Sequence, residues 1–208
     1  MTVERVEPVE SAEPSDYVKR LPIGEEIPLP EGGIPFWEVF PYEGDIRIKP
    51  LDEPVLPEPP RKGEDGEECP GCGDWEGPVL WSDEHWKLRG FTEPEGVPAQ
   101  VMLLPKAHGD LADLPPERLA EFGGMLQRVE RAIMTLDGIA RVHINRYGDG
   151  GSHFHVWFFA RPAGMLQLRG TCLPLWGDVL PKVPADEWQR TNRHIAHALA
   201  TEGGTAHV

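Results

Sequence analysis

Cationic residues are scarce in this chain: 20 lysines and arginines stand against 35 aspartates and glutamates, a formal net charge of −15 over 208 residues. Non-specific nucleic-acid binding needs a basic face that displaces counterions from phosphates, so nucleic acid is not an expected partner. A small nucleotide stays open. Long hydrophobic runs are missing too. No segment approaches the roughly 18 apolar residues of a membrane span, and the first 25 residues carry charges throughout, without the apolar core of a secretion signal. The expectation is a cytoplasmic protein with no membrane partner. Cysteine is limited to three residues, too few for the disulfide framework of a small secreted domain. No internal repeat occurs, and the length suits one good core rather than two.

What is present is unevenly distributed. Residues 1–68 hold 18 of the 35 acidic residues but only 7 of the 20 basic ones, so most of the negative excess is N-terminal. Residues 1–33 read as an acidic arm, expected to be disordered because it has few large apolar groups. Residues 34–68 begin with the aromatic cluster Pro35-Phe36-Trp37-Glu38-Val39-Phe40-Pro41-Tyr42, which is costly to leave in water and is expected to dock as extended chain on the core or on a partner subunit. Pro50, Pro54, Pro57, Pro59 and Pro60 then forbid a regular ladder. The regular part spans residues 69–165, and residues 166–208 form a C-terminal extension.

Within the regular part, Val79-Leu80-Trp81, Trp86-Lys87-Leu88 and Val101-Met102-Leu103-Leu104 are short apolar runs separated by turn-forming clusters, which predicts consecutive antiparallel strands. Pro115-Pro116-Glu117 starts a helix. Its apolar stripe is Leu119, Phe122, Leu126, Val129, Ile133 and Leu136. Asp137-Gly138 stops it. Residues 140–145 alternate as a fourth strand, with Arg141, His143 and Asn145 on one face. The turn Gly148-Asp149-Gly150-Gly151 leads into the stretch Gly151-Ser152-His153-Phe154-His155-Val156-Trp157-Phe158-Phe159, read with period two as a strand. Phe154, Val156, Phe158 and Ala160 suit a core, and His153, His155, Trp157 and Phe159 occupy the opposite face. A last helix is expected over 185–200, with Trp188, Thr191, Ile195 and Leu199 inward. The predicted class is α+β: an antiparallel sheet of about five strands, one main helix across it and a C-terminal helix.

Two constellations carry chemistry. Cys69 and Cys72 have the gap by which a tight turn brings two thiolates to one zinc, and His108 and His153, at strand ends, could complete a Cys₂His₂ set. The alternatives are a dithiol redox pair or cysteines without a role. Against redox chemistry, Gly73 to Pro78 cannot form the helix whose N-terminus depresses a nucleophilic thiol. The second constellation is His155 beside the glycine turn. Successive residues on one face of a strand lie about 7 Å apart, so His153 and His155 can serve adjacent sites. An imidazole not held by metal can attack phosphorus and form a covalent adduct, while glycine lets backbone amides approach an anion. The bland alternative is a half-buried polar histidine.

The segment His153-Phe154-His155-Val156-Trp157-Phe158-Phe159 resembles the motif of the histidine triad superfamily, in which three histidines alternate with apolar residues. The resemblance covers roughly residues 69–165 and includes Pro105-Lys106-Ala107-His108, Leu111 to Leu114, Val142-His143-Ile144-Asn145 and Arg161-Pro162. The metal-ligand pattern is most similar to galactose-1-phosphate uridylyltransferases and zinc-containing bacterial triad hydrolases. It implies structural zinc on Cys69, Cys72, His108 and His153, and a nucleotidyl-histidine formed on His155 from a nucleoside phosphate. It also implies substrate contacts from Asn145, Gly150, Gly151 and Ser152, and a homodimer through the main helix. Position 157 departs from the pattern: it is Trp, where triad enzymes have a third histidine and uridylyltransferases a glutamine. An indole N–H can steady a phosphoryl oxygen but cannot protonate a leaving group. General-acid help is typically worth about 10²–10⁴-fold. Another donor must supply it, or the leaving group must need none. A nucleotide-binding or structural zinc module without catalysis is the rival reading. The glycine turn is also about two residues shorter than in the family, and the chain has room for one unit where the uridylyltransferases have two.

The remaining candidates have plainer explanations. His85, His194, His197 and His207 read as surface or packing histidines. His143 shares a face with Asn145. Lys106, Arg141, Arg146 and Arg161 are possible phosphate partners that more often stay solvated on strand edges. Trp37, Trp81, Trp86, Trp176 and Trp188 read as packing groups, and Cys172 as a small core residue.

Overall fold

The computed structural model describes residues 18–29, 31, 33, 37–64, 67–73 and 77–208. Residues 1–17, 30 and 32 of the expected acidic arm, Pro35 and Phe36 of the aromatic cluster, and residues 74–76 of the stretch expected not to form a helix lie outside the described residues. The chain divides into two compact units, Met1–Pro60 and Arg61–Val208. In the first, the described residues include short 3₁₀ turns at Val18–Arg20 and Trp37–Val39 and a parallel bridge between Ile23 and Leu51. Trp37, Phe40 and Tyr42 touch in series, with ring centroids 6.2 and 5.4 Å apart.

The second unit is an antiparallel sheet flanked by helices. Its elements are β1 (Val79–Ser82), β2 (Trp86–Arg89), β3 (Gln100–Pro105), α1 (Pro116–Met134), β4 (Ile139–Asn145), β5 (Val156–Pro162), α2 (Leu173–Val179), α3 (Ala185–Ala200) and β6 (Thr205–Ala206). The sheet order is β4-β5-β3-β2-β1-β6. The α+β expectation holds, with a sixth, two-residue strand and the short α2 in addition. Asp83 fixes the β1–β2 turn by accepting from the amides of His85 and Trp86 at 2.8 and 2.7 Å, the local bond that favours aspartate in turns. No helix among the described residues is long and apolar enough to cross a membrane.

One face of the sheet carries the main core. Phe154, Val156, Phe158 and Ala160 meet Val129 and Ile133 of α1 and Ile195 and Leu199 of α3 there. The helical stripe of α1 differs at its start. Met125 and Ala132 are buried, whereas Leu119 is 47% exposed; at 100° per residue it lies about 80° from the Val129 meridian. On α3, Asn192 is buried and Thr191 only half-buried. On the opposite face of the sheet, Val97, Phe159, Leu168 and Leu173 form a smaller cluster against which Trp157, Trp176 and Leu180 pack.

The expected strand from residue 151 is shorter at its start, since the ladder begins at Val156. The reason is local pairing. The Ser152 N–H donates to Lys62 O at 3.1 Å and the Phe154 N–H to Gly109 O at 2.8 Å, so residues 150–154 hold loops together rather than a neighbouring strand. Alternation of sides survives, with Phe154 in the core and His153 on the opposite side.

Candidate metal centre and adjoining cavity

Cys69 to Cys72 form a tight turn in which the amides of Cys72 and Gly73 donate to Cys69 O at 3.1 and 3.0 Å. Two cations of β2, buried side chains on one face, hold this turn from below. Lys87 donates to Gly71 O, and Arg89 donates to Gly73 O at 2.8 Å and Gly77 O at 3.2 Å. Gly71 is required by space: a Cβ there would stand 2.4 Å from His153 Cγ, closer than atoms tolerate. His108 follows the end of β3 and faces the turn from the other side.

The four expected ligands come together. One donor atom from each of Cys69, Cys72, His108 and His153 lies within 4.8 Å of the others. His153 Nδ1 is 3.5 Å from Cys69 Sγ and 3.4 Å from Cys72 Sγ, and His108 Nδ1 is 3.4 Å from Cys72 Sγ. A tetrahedral zinc with bonds of about 2.3 Å to sulfur and 2.0–2.1 Å to nitrogen gives S···N edges of about 3.5 Å. The donor set therefore fits zinc in both chemistry and spacing. The His153 tautomer also fits. A carbonyl only accepts, so the 2.8 Å contact between Nε2 and Pro105 O places the proton on Nε2 and leaves the Nδ1 lone pair facing the thiols. Burial pushes the His153 pKa down to about 4, with Lys87 and His108 pushing the same way against the Pro105 bond, so the ring is a neutral ligand at pH 7. Burial raises the Cys72 thiol and Cys69 adds to this; Lys87 opposes it. A divalent cation is the charge that would let both thiols ionise.

His155 is held differently. Its Nδ1 lies 2.8 Å from His153 O, which fixes Nδ1 as the protonated nitrogen and leaves Nε2 with a free lone pair. The ring borders a cavity of about 620 Å³ whose wall also includes Gly71, Gly150, Gly151, Trp157, Tyr147 and Lys62. Of the expected substrate contacts, Gly150, Gly151 and Trp157 border this space. Asn145 sits opposite Trp157 in the β4–β5 ladder and is not part of the wall. Ser152 is buried and directs both its N–H and its hydroxyl to Lys62 O, at 3.1 and 3.4 Å. Trp157 is stacked nearly parallel between Phe91 and Phe159, with centroids 5.2 and 5.9 Å away and interplanar angles of 11°.

A charged clamp closes the turn side. Arg61 Nη1 donates to Asp110 Oδ2 at 2.8 Å and to Gly148 O at 2.9 Å, and Arg146 Nη2 donates to Asp110 Oδ1 at 2.7 Å. Burial would raise the Asp110 carboxyl, but hydrogen bonds from Arg61, the Leu111 amide and Arg146 outweigh it and hold the carboxyl below the usual range. Arg146, a possible phosphate partner by sequence, is thus engaged by Asp110. Arg141 donates to Ala140 O and Arg161 to Pro162 O and Met165 O. Lys62 and Tyr147 escaped the sequence reading because neither lies in a periodic element or a spaced motif.

No family model and no curated protein matches the sequence. Among solved structures, the chain is similar to a zinc-bound histidine triad family protein from Mycobacterium smegmatis, with 22% identity, 60% of this chain and 86% of that chain covered, and a TM-score of 0.41. It is similar to a histidine triad protein from Bradyrhizobium japonicum, with 19% identity, 60% and 91% coverage and a TM-score of 0.48. It is also similar to a uridylyltransferase, with 20% identity, 67% and 49% coverage and a TM-score of 0.46.

Proposed function

We propose that this chain is a zinc-stabilised nucleotidyl hydrolase or transferase that acts on a nucleoside phosphate through a nucleotidyl-histidine on His155. The observation that carries the reading is the His155 tautomer. With Nδ1–H given to His153 O at 2.8 Å, Nε2 is the nitrogen of the neutral ring left to present a lone pair to a substrate in the cavity that His155 lines. The backbone bond stabilises positive charge developing on the ring as Nε2 bonds to phosphorus. Gly150 and Gly151, at the cavity wall, let phosphoryl oxygens approach the backbone closely. Water or a second phosphate then takes the nucleotidyl group and frees His155.

Zinc on Cys69, Cys72, His108 and His153 would clamp the cysteine turn to the sheet, and so fix the carbonyl of His153 on which the His155 tautomer depends. We place the protein in the cytoplasm, where its three free cysteines are at home. Rapid-quench intact-mass spectrometry on a panel of nucleoside di- and triphosphates tests the reading: a nucleotidyl adduct is expected on the native protein and not on His155→Ala. Full turnover by His155→Ala would rule it out. The rival, a nucleotide-binding module without chemistry, draws on the Phe91–Trp157–Phe159 stack, which fills the position where a proton donor would stand. Tight binding with neither adduct nor turnover would favour it.

A further inference from the structure

The cavity next to His155 has one cation in its wall besides the histidines, among the described residues: Lys62. Its place depends on the backbone. The Lys62 N–H donates to Gly150 O at 3.4 Å, its carbonyl accepts from Ser152 N–H at 3.1 Å, and it forms a parallel bridge with Gly151. Residues 61–64 therefore lie as a strap along the glycine turn. On one side of Lys62, Arg61 ties the strap to Asp110 and Gly148 O; on the other, Gly63 is buried against Cys69, where a Cβ would come within 2.7 Å of the Cys69 Cβ. Arg61, Arg146, Lys87 and Arg89 are all engaged by carboxylate or carbonyl oxygens. Lys62, an exposed residue, uses only its backbone for the strap, and it lines the same cavity as His155.

We propose that Lys62 binds the departing phosphate of the substrate, and that this charge takes the place of the proton that position 157 cannot give. The inference rests on the reading of His155 as nucleophile. In the first step the His155 Nε2 lone pair forms a bond to the α-phosphorus. The bond from that phosphorus to the bridging oxygen breaks, and its electron pair leaves with the β-phosphate. That leaving group departs as a hydrogenphosphate anion paired with the Lys62 ammonium, keeping the proton its terminal oxygens carried in the substrate and taking none from the protein. In the second step water attacks the α-phosphorus, the P–N bond returns its pair to Nε2, and the proton of the water passes to solvent. An ammonium on a flexible four-carbon stem suits this task, because it follows a moving oxyanion without a fixed bidentate geometry. The chemistry selects phosphoric anhydrides. A phosphoramidate, whose nitrogen must be protonated for the amine to leave, is a poor substrate, since Trp157 supplies no acid and the Lys62 ammonium repels a protonated nitrogen instead of pairing with it.

Three probes with one nucleotidyl group separate the possibilities: adenosine 5′-diphosphate, adenosine 5′-(4-nitrophenyl phosphate), whose aryl leaving group needs little help, and adenosine 5′-phosphoramidate. The native protein is expected to favour the diphosphate over the phosphoramidate by about 100-fold or more. Lys62→Met is expected to lower kcat/KM for the diphosphate about 10- to 100-fold, the size of one charge-assisted hydrogen bond, and for the aryl ester less than about threefold. Lys62→Arg, which keeps the charge, is expected to restore most of the loss. Equal losses on diphosphate and aryl ester, or native cleavage of the phosphoramidate as fast as the diphosphate, would overturn the role of Lys62 while leaving His155 as nucleophile. Absence of any adduct or turnover with all three probes would remove the His155 reading and this inference with it.

Discussion

At His153 the ring is fixed on every side: Nε2–H on Pro105 O, Nδ1 against two thiols, and Gly71 pressed so close that a methyl group cannot enter. At His155, two residues on, one ring nitrogen is held by a backbone carbonyl and the other faces open space. The two histidines stand on the same side of one segment, yet the first is buried at 3% exposure and the second is only half-buried. The difference follows from what each needs. A structural ligand gains from overdetermined packing, whereas a nucleophile needs a fixed tautomer and room for a substrate.

The widest separation between the two is expected in activity. His155→Ala removes the attacking atom and lowers turnover by on the order of 10⁴-fold or more, while metal content stays at about one zinc per chain and the melting temperature changes little. If metal is lost together with activity in this variant, the division of labour is wrong. The reverse variant is Gly71→Ala, which drives a methyl group into the His153 ring. Its ligand set opens, zinc content falls, and stability drops by roughly 3 kcal/mol or more, about 6–12 °C in Tm for a unit of this size. Metal analysis and calorimetry on the same sample check both numbers.

The metal end also carries a pH signature. Burial holds the folded His153 pKa at about 4, against 6.5 for an unhindered histidine. The unfolded chain therefore binds more protons than the folded one across that interval. Stability supplied by the neutral ring is complete above pH 6.5 and is lost as pH falls toward 4, by roughly 3 kcal/mol in the chelator-treated protein. Urea midpoints at pH 7 and 4.5 read this directly when set beside those of His153→Gln, whose slope with pH is expected to be shallower. Bound zinc adds a loss of the same sign, since protons compete for Nδ1.

The two ends were not equally legible in the sequence. Cys69, Cys72, His108 and His153 could be named because ligand chemistry restricts residue type and the two-residue gap forces a turn. The strands were legible because short apolar runs between Gly, Pro and Asp leave few other readings. The start of the strand expected from Gly151 was less legible: period two describes the faces of residues 152–155, but the amides of Ser152 and Phe154 bond Lys62 and Gly109, and nothing local in the sequence encodes a pairing 90 residues distant. Lys62 stayed hidden for the same reason. The stripe of α1 was legible in its middle and failed at Leu119, where one turn of drift is enough to leave the buried face. The short α2 begins with Pro174 in its first turn, a helix-start signal obscured by the glycines and prolines around it.

The smallest effect is expected at Trp157, and it decides what that residue is for. Trp157 lies between Phe91 and Phe159 at 5.2 and 5.9 Å with nearly parallel rings, in an apolar cluster built by Val97, Leu168 and Leu173. Aromatic pairs of this kind are worth about 0.5–1.5 kcal/mol each beyond the area they bury. Trp157→Phe keeps a ring in the stack and removes only the indole N–H. If the side chain serves as the packed end of the cavity wall, turnover changes less than about threefold and Tm falls by a few degrees through the smaller ring. If the indole instead steadies a phosphoryl oxygen in the transition state, kcat falls about tenfold or more while substrate binding stays the same. That split between kcat and KM, measured on the anhydride substrate, would extend the chemical half of the segment from His155 to Trp157.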